Sequence, residues 1–234
     1  MPLRGGAAMV FWNDVAAGAE DDFYHWHSHE HLPERLRVPG FLRGRRAVAW
    51  CGGPKVFVLY EVESLAVLTA PPYLARLNDP TAWTRRAMAN FRNSNRTLCR
   101  VVASFGQGLG GRLLTLRLSP APDGAENLRE ALSRDLLPAL ARRPGLVGAH
   151  LLVGEAAASA LPTAEKHLRG QPDAVADWVV VIEGYEAAAL ESLAEEAFSP
   201  GRLAAFGAGP DLAFGFYEVI HSLEAAEPAD RIDC

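Results

Sequence analysis

Along the chain, extended apolar runs typical of β-strands are interspersed with segments whose apolar residues have helical spacing. The same order of strands and helices occurs twice. The first set of extended runs reads MVFWNDV, RGRRAVAW, VFVLYEVE and LCRVVASF, and the second reads RLLTLRLS, GAHLLVG, WVVVIEGY and GFYEVIHSL. In each set, helical segments follow the first and third runs. The resulting order, β-α-β-β-α-β, is that of a ferredoxin-like unit.

A short sequence repeat shows how the two sets of runs align with each other. The segment HLPERLRVPGFL, residues 31–42, matches LLPALARRPGLV, residues 136–147, with two prolines and a glycine in the same places. We therefore predict an α+β chain of two tandem ferredoxin-like repeats. Pairing their sheets face to face would hide both apolar sheet faces and form an intramolecular version of the dimeric α+β barrel, with the helices outside.

The predicted boundaries follow from this repeat. Residues 1–108 form the first repeat, 109–225 a second and mainly structural repeat, and 226–234 a polar tail. The glycine-rich segment Gly106–Gly111 is the expected joint. Residues 154–173, GEAAASALPTAEKHLRGQPD, interrupt the second repeat without a periodic pattern, and we expect them to form a mobile loop.

The first helix of each repeat differs at the positions that should face the sheet. In the second repeat these positions are apolar: Leu128, Ala131, Leu132, Leu136, Ala139 and Leu140. In the first repeat the aligned residues are Phe23, Trp26, His27, His31, Glu34 and Arg35. Polar groups directed at a core are costly unless they have partners. We therefore expect a cavity in the first repeat, between helix and sheet, where the second repeat is filled.

The candidate catalytic residues of this cavity are His31, Glu34 and His27. His31 would be the general acid or base, and Glu34 would orient its imidazole and stabilise the charged form. A histidine and glutamate that satisfy each other in the core are the structural alternative. His25 and His29 lie on the opposite side of the helix, where we expect them to be exposed.

Aromatic side chains are the expected substrate-binding walls. Phe23 and Trp26 share the inward face of the first helix, and Trp83 and Phe91 share a face of the second. Tyr60 lies on a strand where the second repeat has an aliphatic residue. Ordinary core packing is the alternative for the aromatic residues of the second helix.

Composition and charge narrow the function classes. The chain has 234 residues, 49% of them hydrophobic, and a formal charge of −5, which gives no reason to expect nucleic acid or an anionic membrane as a partner. No apolar run approaches the ~20 residues that span a bilayer. Cys51, Cys99 and Cys234 are too few and too widely spaced for a disulfide framework or a cysteine-based zinc site, so we expect a cytoplasmic protein.

The tract FYHWHSHEHLPERLRVPGFLRGRR, residues 23–46, resembles the EthD-like branch of the dimeric α+β barrel superfamily. The matching features are the aromatic pair, a His-x-Pro, a Pro-Gly and an arginine-bearing strand: Phe23, Trp26, His31-Leu32-Pro33, Pro39-Gly40 and Arg45-Arg46. The resemblance implies a ferredoxin-like fold with His31 facing a cavity. Relatives of this kind include cofactor-independent monooxygenases, cyclases, lactone isomerases, dehalogenases and haem enzymes, so the fold does not fix the reaction.

Four functions are consistent with the sequence. The first is an enzyme that requires no bound cofactor and isomerises, cyclises or oxygenates an aromatic or polyketide-like compound. The second is a metal site of His27, His31 and Glu34, and the third is haem ligation by His27 or His31. The fourth is binding of a small apolar or aromatic ligand without turnover. The chain could be a monomer with pseudo-dimeric repeats or a homodimer.

Overall fold

The computed structural model describes residues 3–226, and the predicted polar tail lies outside them except for Ala226. Its strands are β1 Ala7–Val15, β2 Phe41–Gly52, β3 Val56–Val62, β4 Phe91–Gly106, β5 Arg112–Leu118, β6 Leu146–Gly154, β7 Trp178–Gly184 and β8 Ala213–Glu224. They form a closed barrel in the order β1-β3-β2-β8-β5-β7-β6-β4, and every neighbouring pair is antiparallel.

Short helices connect the strands. The α-helices are α1 Glu20–Trp26, α2 Leu32–Leu36, α3 Pro71–Asn78, α4 Ala82–Met88, α5 Ala125–Glu130, α6 Leu137–Leu140, α7 Ala156–Ser159, α8 Ala164–Leu168, α9 Ala187–Glu195 and α10 Pro200–Phe206. A 3₁₀ turn covers Leu65–Thr69, and π-helical turns cover His27–His31 and Ala131–Leu136. Each π-helical turn joins two α-helices into one continuous helix, α1 to α2 and α5 to α6.

The two halves of the barrel have the same topology. The first half has the strand order β4-β1-β3-β2, the second has β8-β5-β7-β6, and the halves join through the pairs β2–β8 and β4–β6. The prediction of an α+β chain of two ferredoxin-like units that close one barrel is therefore confirmed. The chain boundaries at residues 108 and 225 remain a prediction.

Strand alternation divides the buried residues into three cores. Along β3, Val56, Val58 and Tyr60 pack in the core beneath the helices of the first unit, whereas Phe57 and Leu59 point into the barrel. A matching core lies beneath the helices of the second unit. The candidate site belongs to the helix-covered core of the first unit.

Charged residues also lie inside the barrel. Arg45 donates to both carboxylate oxygens of Glu183 at 2.8 Å, and His150 Nε2 lies 3.2 Å from the same carboxylate. Burial acts to raise the pKa of Glu183, but the charge and hydrogen bonds of Arg45, with those of His150, outweigh it and lower that pKa. Arg45 of the arginine-bearing strand thus belongs to the barrel interior and not to the cavity of the first unit.

The connection between the second and third strands differs between the units. Residues 53–55 join β2 to β3, whereas residues 155–177 join β6 to β7. Where we expected a loop, this second connection folds into α7 and α8, and α8 packs against α3 and α4 of the first unit. The connection therefore covers the unit to which it does not belong.

Candidate functional site

A cavity of about 30 Å³ lies in the first unit, between the α1–α2 helix and the outer face of the sheet. This is room for about one water molecule. Its apolar wall consists of Met9, Phe11, Phe23, Trp26, Val58, Tyr60, Tyr73, Met88 and Phe91, and its polar wall of Asn13, His27, His31, Arg35, Arg96, Glu165 and Arg169. The free volume is smaller than an aromatic or polyketide-like ligand, so such a ligand must displace part of the wall.

The two histidines of the cavity are buried side by side. His27 and His31 are 3% and 7% exposed, and their ring centroids are 5.6 Å apart. The hydroxyl group of Tyr60 lies 3.4 Å from His27 Nε2. Within the described part of the chain, neither Nδ1 atom has a hydrogen-bond partner. The imidazoles are therefore held by packing more than by polar contacts.

The environment of both histidines favours the neutral imidazole. Burial is the main cause that lowers the pKa of each well below its ordinary value. The positive charge of Arg46 adds to the effect at His27, and that of Arg35 adds to it at His31. A neutral imidazole has a free nitrogen lone pair, so each side chain can accept a proton from a bound molecule.

Arg35, and not Glu34, is the third polar residue of the helix that faces the cavity. Arg35 is 1% exposed and pairs with Glu165, whereas Glu34 is off the cavity wall and its carboxylate is 3.9 Å from Arg35. The prediction that Glu34 orients His31 is therefore wrong. The physical reason is the π-helical turn, whose additional residue per turn delays the inward phase from position 34 to position 35.

Proline accounts for that turn. Pro33 follows the π-helical turn in the first unit and Pro138 follows it in the second. A proline ring cannot donate the helical hydrogen bond and clashes with the carbonyl group four residues earlier, and a wider turn relieves both problems. In the second unit the inward residues are Leu132, Leu136 and Leu140, while Ala139 is exposed. Both helices therefore have the same phase.

Two further arginines complete the polar end of the cavity. Arg96 Nη2 donates to the Tyr73 hydroxyl group at 2.9 Å, and Arg169 Nε donates to Asp173 at 2.7 Å. Burial raises the pKa of Glu165, while the charges of Arg35, Arg169 and Arg96 oppose that rise. Burial acts to lower the pKa of Arg35, but Glu165, Tyr73, Glu34 and Tyr60 together outweigh it and raise that pKa.

The other predicted residues divide into two groups. Phe23, Trp26 and Tyr60 line the cavity, as does Phe91, which begins β4 and does not lie on the second helix. Trp83 does not reach the cavity, because its Nε1 donates to an Asp22 carboxylate oxygen at 2.9 Å on the outside of the helices.

Outward residues of the first helix are placed as predicted. His25 and His29 are exposed, with ring centroids 4.8 Å apart.

Sequence reasoning missed Arg35 as a cavity residue, although its alignment with Leu140 contained the signal. It also missed Glu165 and Arg169, and no local pattern in their segment points to the other unit.

The metal hypothesis loses its carboxylate ligand, since Glu34 faces away from His27 and His31. Among residues 3–226, no group of three or more histidine, cysteine, aspartate or glutamate side chains is arranged to hold a metal ion. No helix in this part of the chain is both long and apolar enough to cross a membrane.

Comparison with known proteins identifies the fold but no family to which the sequence belongs. No family model matches the sequence, and no curated protein matches it. An anthrone oxidase-like protein of known structure superposes with a TM-score of 0.63 at 14% identity, covering 97% of both chains. A protein of Fusobacterium nucleatum provisionally named as a monooxygenase has a TM-score of 0.62 at 6% identity, over 97% of this chain and 100% of that one.

A third solved structure, provisionally named as a chlorite dismutase, has a TM-score of 0.52 at 11% identity, over 92% of this chain and 94% of that one. These likenesses confirm the dimeric α+β barrel fold that the resemblance implied. At such low identity they establish the fold alone.

Haem is the prosthetic group of some proteins in the superfamily that the sequence resembles. His27 and His31 are the available axial ligands in the first unit. A porphyrin ring is many times larger than the cavity of about 30 Å³, and the Arg35–Glu165 pair occupies one side of it. The residues as arranged here do not fit the group.

Proposed function

We propose that this protein is an enzyme that removes a proton from an aromatic or polyketide-like small molecule in the cavity of the first unit, with His31 as the general base. His27, in contact with the Tyr60 hydroxyl group, would be the second proton-transfer group. Isomerisation, cyclisation and oxygenation without a cofactor can each begin with proton abstraction from a carbon whose negative charge is delocalised onto a carbonyl oxygen.

One observation carries the proposal. At the three inward positions of the first helix, the first unit has His27, His31 and Arg35, and the second unit has leucine at every aligned position. Both units share one fold, so the fold does not require the polar residues. Burying them has a cost in stability that a ligand site explains.

The chemistry of the wall suits this reaction. A neutral imidazole accepts the proton, and the negative charge that develops on the substrate oxygen can be stabilised by the Arg35 guanidinium and by the Tyr60 hydroxyl group. Burial raises the pKa of Tyr60, so its hydroxyl group keeps its proton and remains a hydrogen-bond donor. Phe23 and Trp26 offer ring faces on which an aromatic substrate can stack.

Anthrone is the probe that the name of one structural neighbour suggests. In the oxygenation of anthrone to anthraquinone, the molecule loses two hydrogen atoms and gains one oxygen atom, and the second atom of O₂ leaves in water. Oxygen uptake and anthraquinone formation should be faster with the protein than without it.

The matched variants are His31→Leu, which copies Leu136 of the second unit, and His29→Ala on the exposed side of the same helix. We expect the first to lose at least about a hundred-fold in rate and the second to keep the rate. Equal rates in both variants would contradict the role of His31.

Binding without turnover and haem binding are the alternatives, and the same protein preparation tests both. Saturable quenching of tryptophan fluorescence by anthrone without product would support binding alone, since Trp26 lies on the cavity wall. A Soret band that follows haem addition and disappears in the His27→Leu/His31→Leu variant would establish haem ligation instead.

A further inference from the structure

The β6–β7 connection, residues 155–177, carries a carboxylate into the cavity of the other unit. Glu165 on α8 is 4% exposed and forms its ion pair with Arg35 across the boundary between the units. The equivalent connection of the first unit is residues 53–55, which contain no helix. The longer connection is therefore not needed to link the strands, and it closes the candidate site.

The Glu165 carboxylate is surrounded by positively charged side chains. Arg35, Arg96 and Arg169 all line the same cavity as Glu165. Asp173 pairs with Arg169, and the side-chain contact of Arg96 is the uncharged Tyr73 hydroxyl group. Glu34, outside the wall, has its carboxylate 3.9 Å from Arg35, so the three guanidinium groups face three carboxylates. Without Glu165 the polar end of the cavity would therefore carry a net positive charge.

The guanidinium of Arg35 also has a nitrogen that makes no hydrogen bond within the described chain. Its Nη2 donates to Glu165, but Nη1 is buried without a hydrogen-bond partner among residues 3–226. A guanidinium group can bind a carboxylate through two parallel hydrogen bonds, and Glu165 uses one nitrogen only. A free carboxylate, with no helix attached to it, could approach in the two-point geometry.

The covering segment is held mainly by polar contacts, some of them buried, such as the bond from Leu98 N to Ser159 Oγ at 2.9 Å. Ala164 N donates to Asn78 Oδ1 at 3.0 Å, and the Ala174 amide and carbonyl groups bond to the edge of β4. From α8 only Leu168 packs against the apolar core of the first unit, and it is half-buried. α8 therefore contributes little apolar surface of its own to that core, and such weakly packed segments open most readily.

We propose that the ligand of this cavity is an aromatic carboxylate, and that its carboxylate group replaces that of Glu165 on Arg35 while α8 moves outward. Glu165 is then an internal substitute for the ligand, and the closed cavity of about 30 Å³ is the state without ligand. The inference rests on the proposed function only for the location of the site, and binding tests it without turnover.

The test compares two probes of equal size, 2-naphthoate and the uncharged 2-naphthalenemethanol, by calorimetric titration of the full chain. We expect 2-naphthoate to bind at least about ten-fold more tightly. Glu165→Gln removes the competing carboxylate, so it should tighten 2-naphthoate binding several-fold and leave the alcohol unchanged. The control is Glu155→Gln, which removes an exposed ion pair with Arg100 in the same connection and should change neither affinity.

The double variant Arg35→Gln/Glu165→Gln removes both charges without leaving one of them unpaired, so it should fold and bind the two probes equally. Amide hydrogen exchange supplies a second readout, because 2-naphthoate should accelerate exchange in residues 156–169 of the wild-type protein. Equal affinities for the two probes, weaker 2-naphthoate binding in Glu165→Gln, or no binding of either probe would overturn the proposal. If the protein binds 2-naphthoate selectively but His31→Leu keeps full activity, His31 is not the general base. The inference about the carboxylate ligand would then still stand.

Discussion

Mild acid should destabilise the folded protein through His27 and His31. Because burial lowers the pKa of both imidazoles, the unfolded chain binds protons at a pH where the folded chain does not. A histidine in the unfolded chain has a pKa of about 6.5. The folded protein therefore keeps its full stability above that pH and loses stability as the pH falls below it. Near pH 5.5 each histidine should cost about 1.4 kcal/mol of unfolding free energy, or about 2.8 kcal/mol for the pair.

Urea denaturation near pH 7.5 and near pH 5.5 measures this loss directly. His31→Leu should reduce the loss between the two pH values by about 1.4 kcal/mol, and His27→Leu should reduce it by a similar amount. Glu165, whose pKa burial raises, acts in the opposite direction, but it is present in every variant and cancels in the comparison. His29→Ala, on the exposed side of the helix, is the matched control and should show the wild-type loss.

An unchanged loss in both leucine variants would refute the reasoning. It would mean that the imidazoles are protonated in the folded protein or are not buried. They could then not be the neutral proton acceptors on which the proposed chemistry depends.

Two further predictions concern the packing that holds the site. Glu183→Gln removes the closer of the two buried carboxylates that pair with Arg45 and leaves only Glu61, 3.4 Å away. It should lower the unfolding free energy by about 2 kcal/mol in urea denaturation, and a loss below about 1 kcal/mol would contradict the buried pair. In Gly44→Ala the new Cβ would overlap the Leu32 side chain and lie 3.1 Å from the Tyr60 ring, so we expect a loss of about 1–3 kcal/mol. Gly201→Ala, where the added Cβ meets open space, should cause none.

The fold was predictable because its signal is local and occurs twice. Alternation along strands such as Val56–Val62, together with the repeated Pro-Gly after each first helix, indicated the ferredoxin-like order without any tertiary information. Closure into one barrel followed from the need to bury the remaining face of each sheet. The fold therefore required no knowledge of individual side-chain contacts.

The site was predictable only where its residues lie on one helix. Comparison of the sister helices found His27 and His31, because both repeats share a register. It selected Glu34 over Arg35, because a regular α-helix was assumed and the π-helical turn moves the inward phase by one residue. Glu165 could not be found, because its position depends on packing between segments that are distant in sequence and on an insertion without periodicity.

Deuterium exchange into anthrone tests the central claim most directly. The methylene group of anthrone lies next to two aromatic rings conjugated with its ketone, and without oxygen the protein can only remove and return its protons. In anaerobic D₂O, followed by NMR, the wild-type protein should exchange these protons at least about ten-fold faster than His31→Leu does. Equal rates for the two proteins would show that His31 does not abstract a proton in the cavity, and would contradict the account.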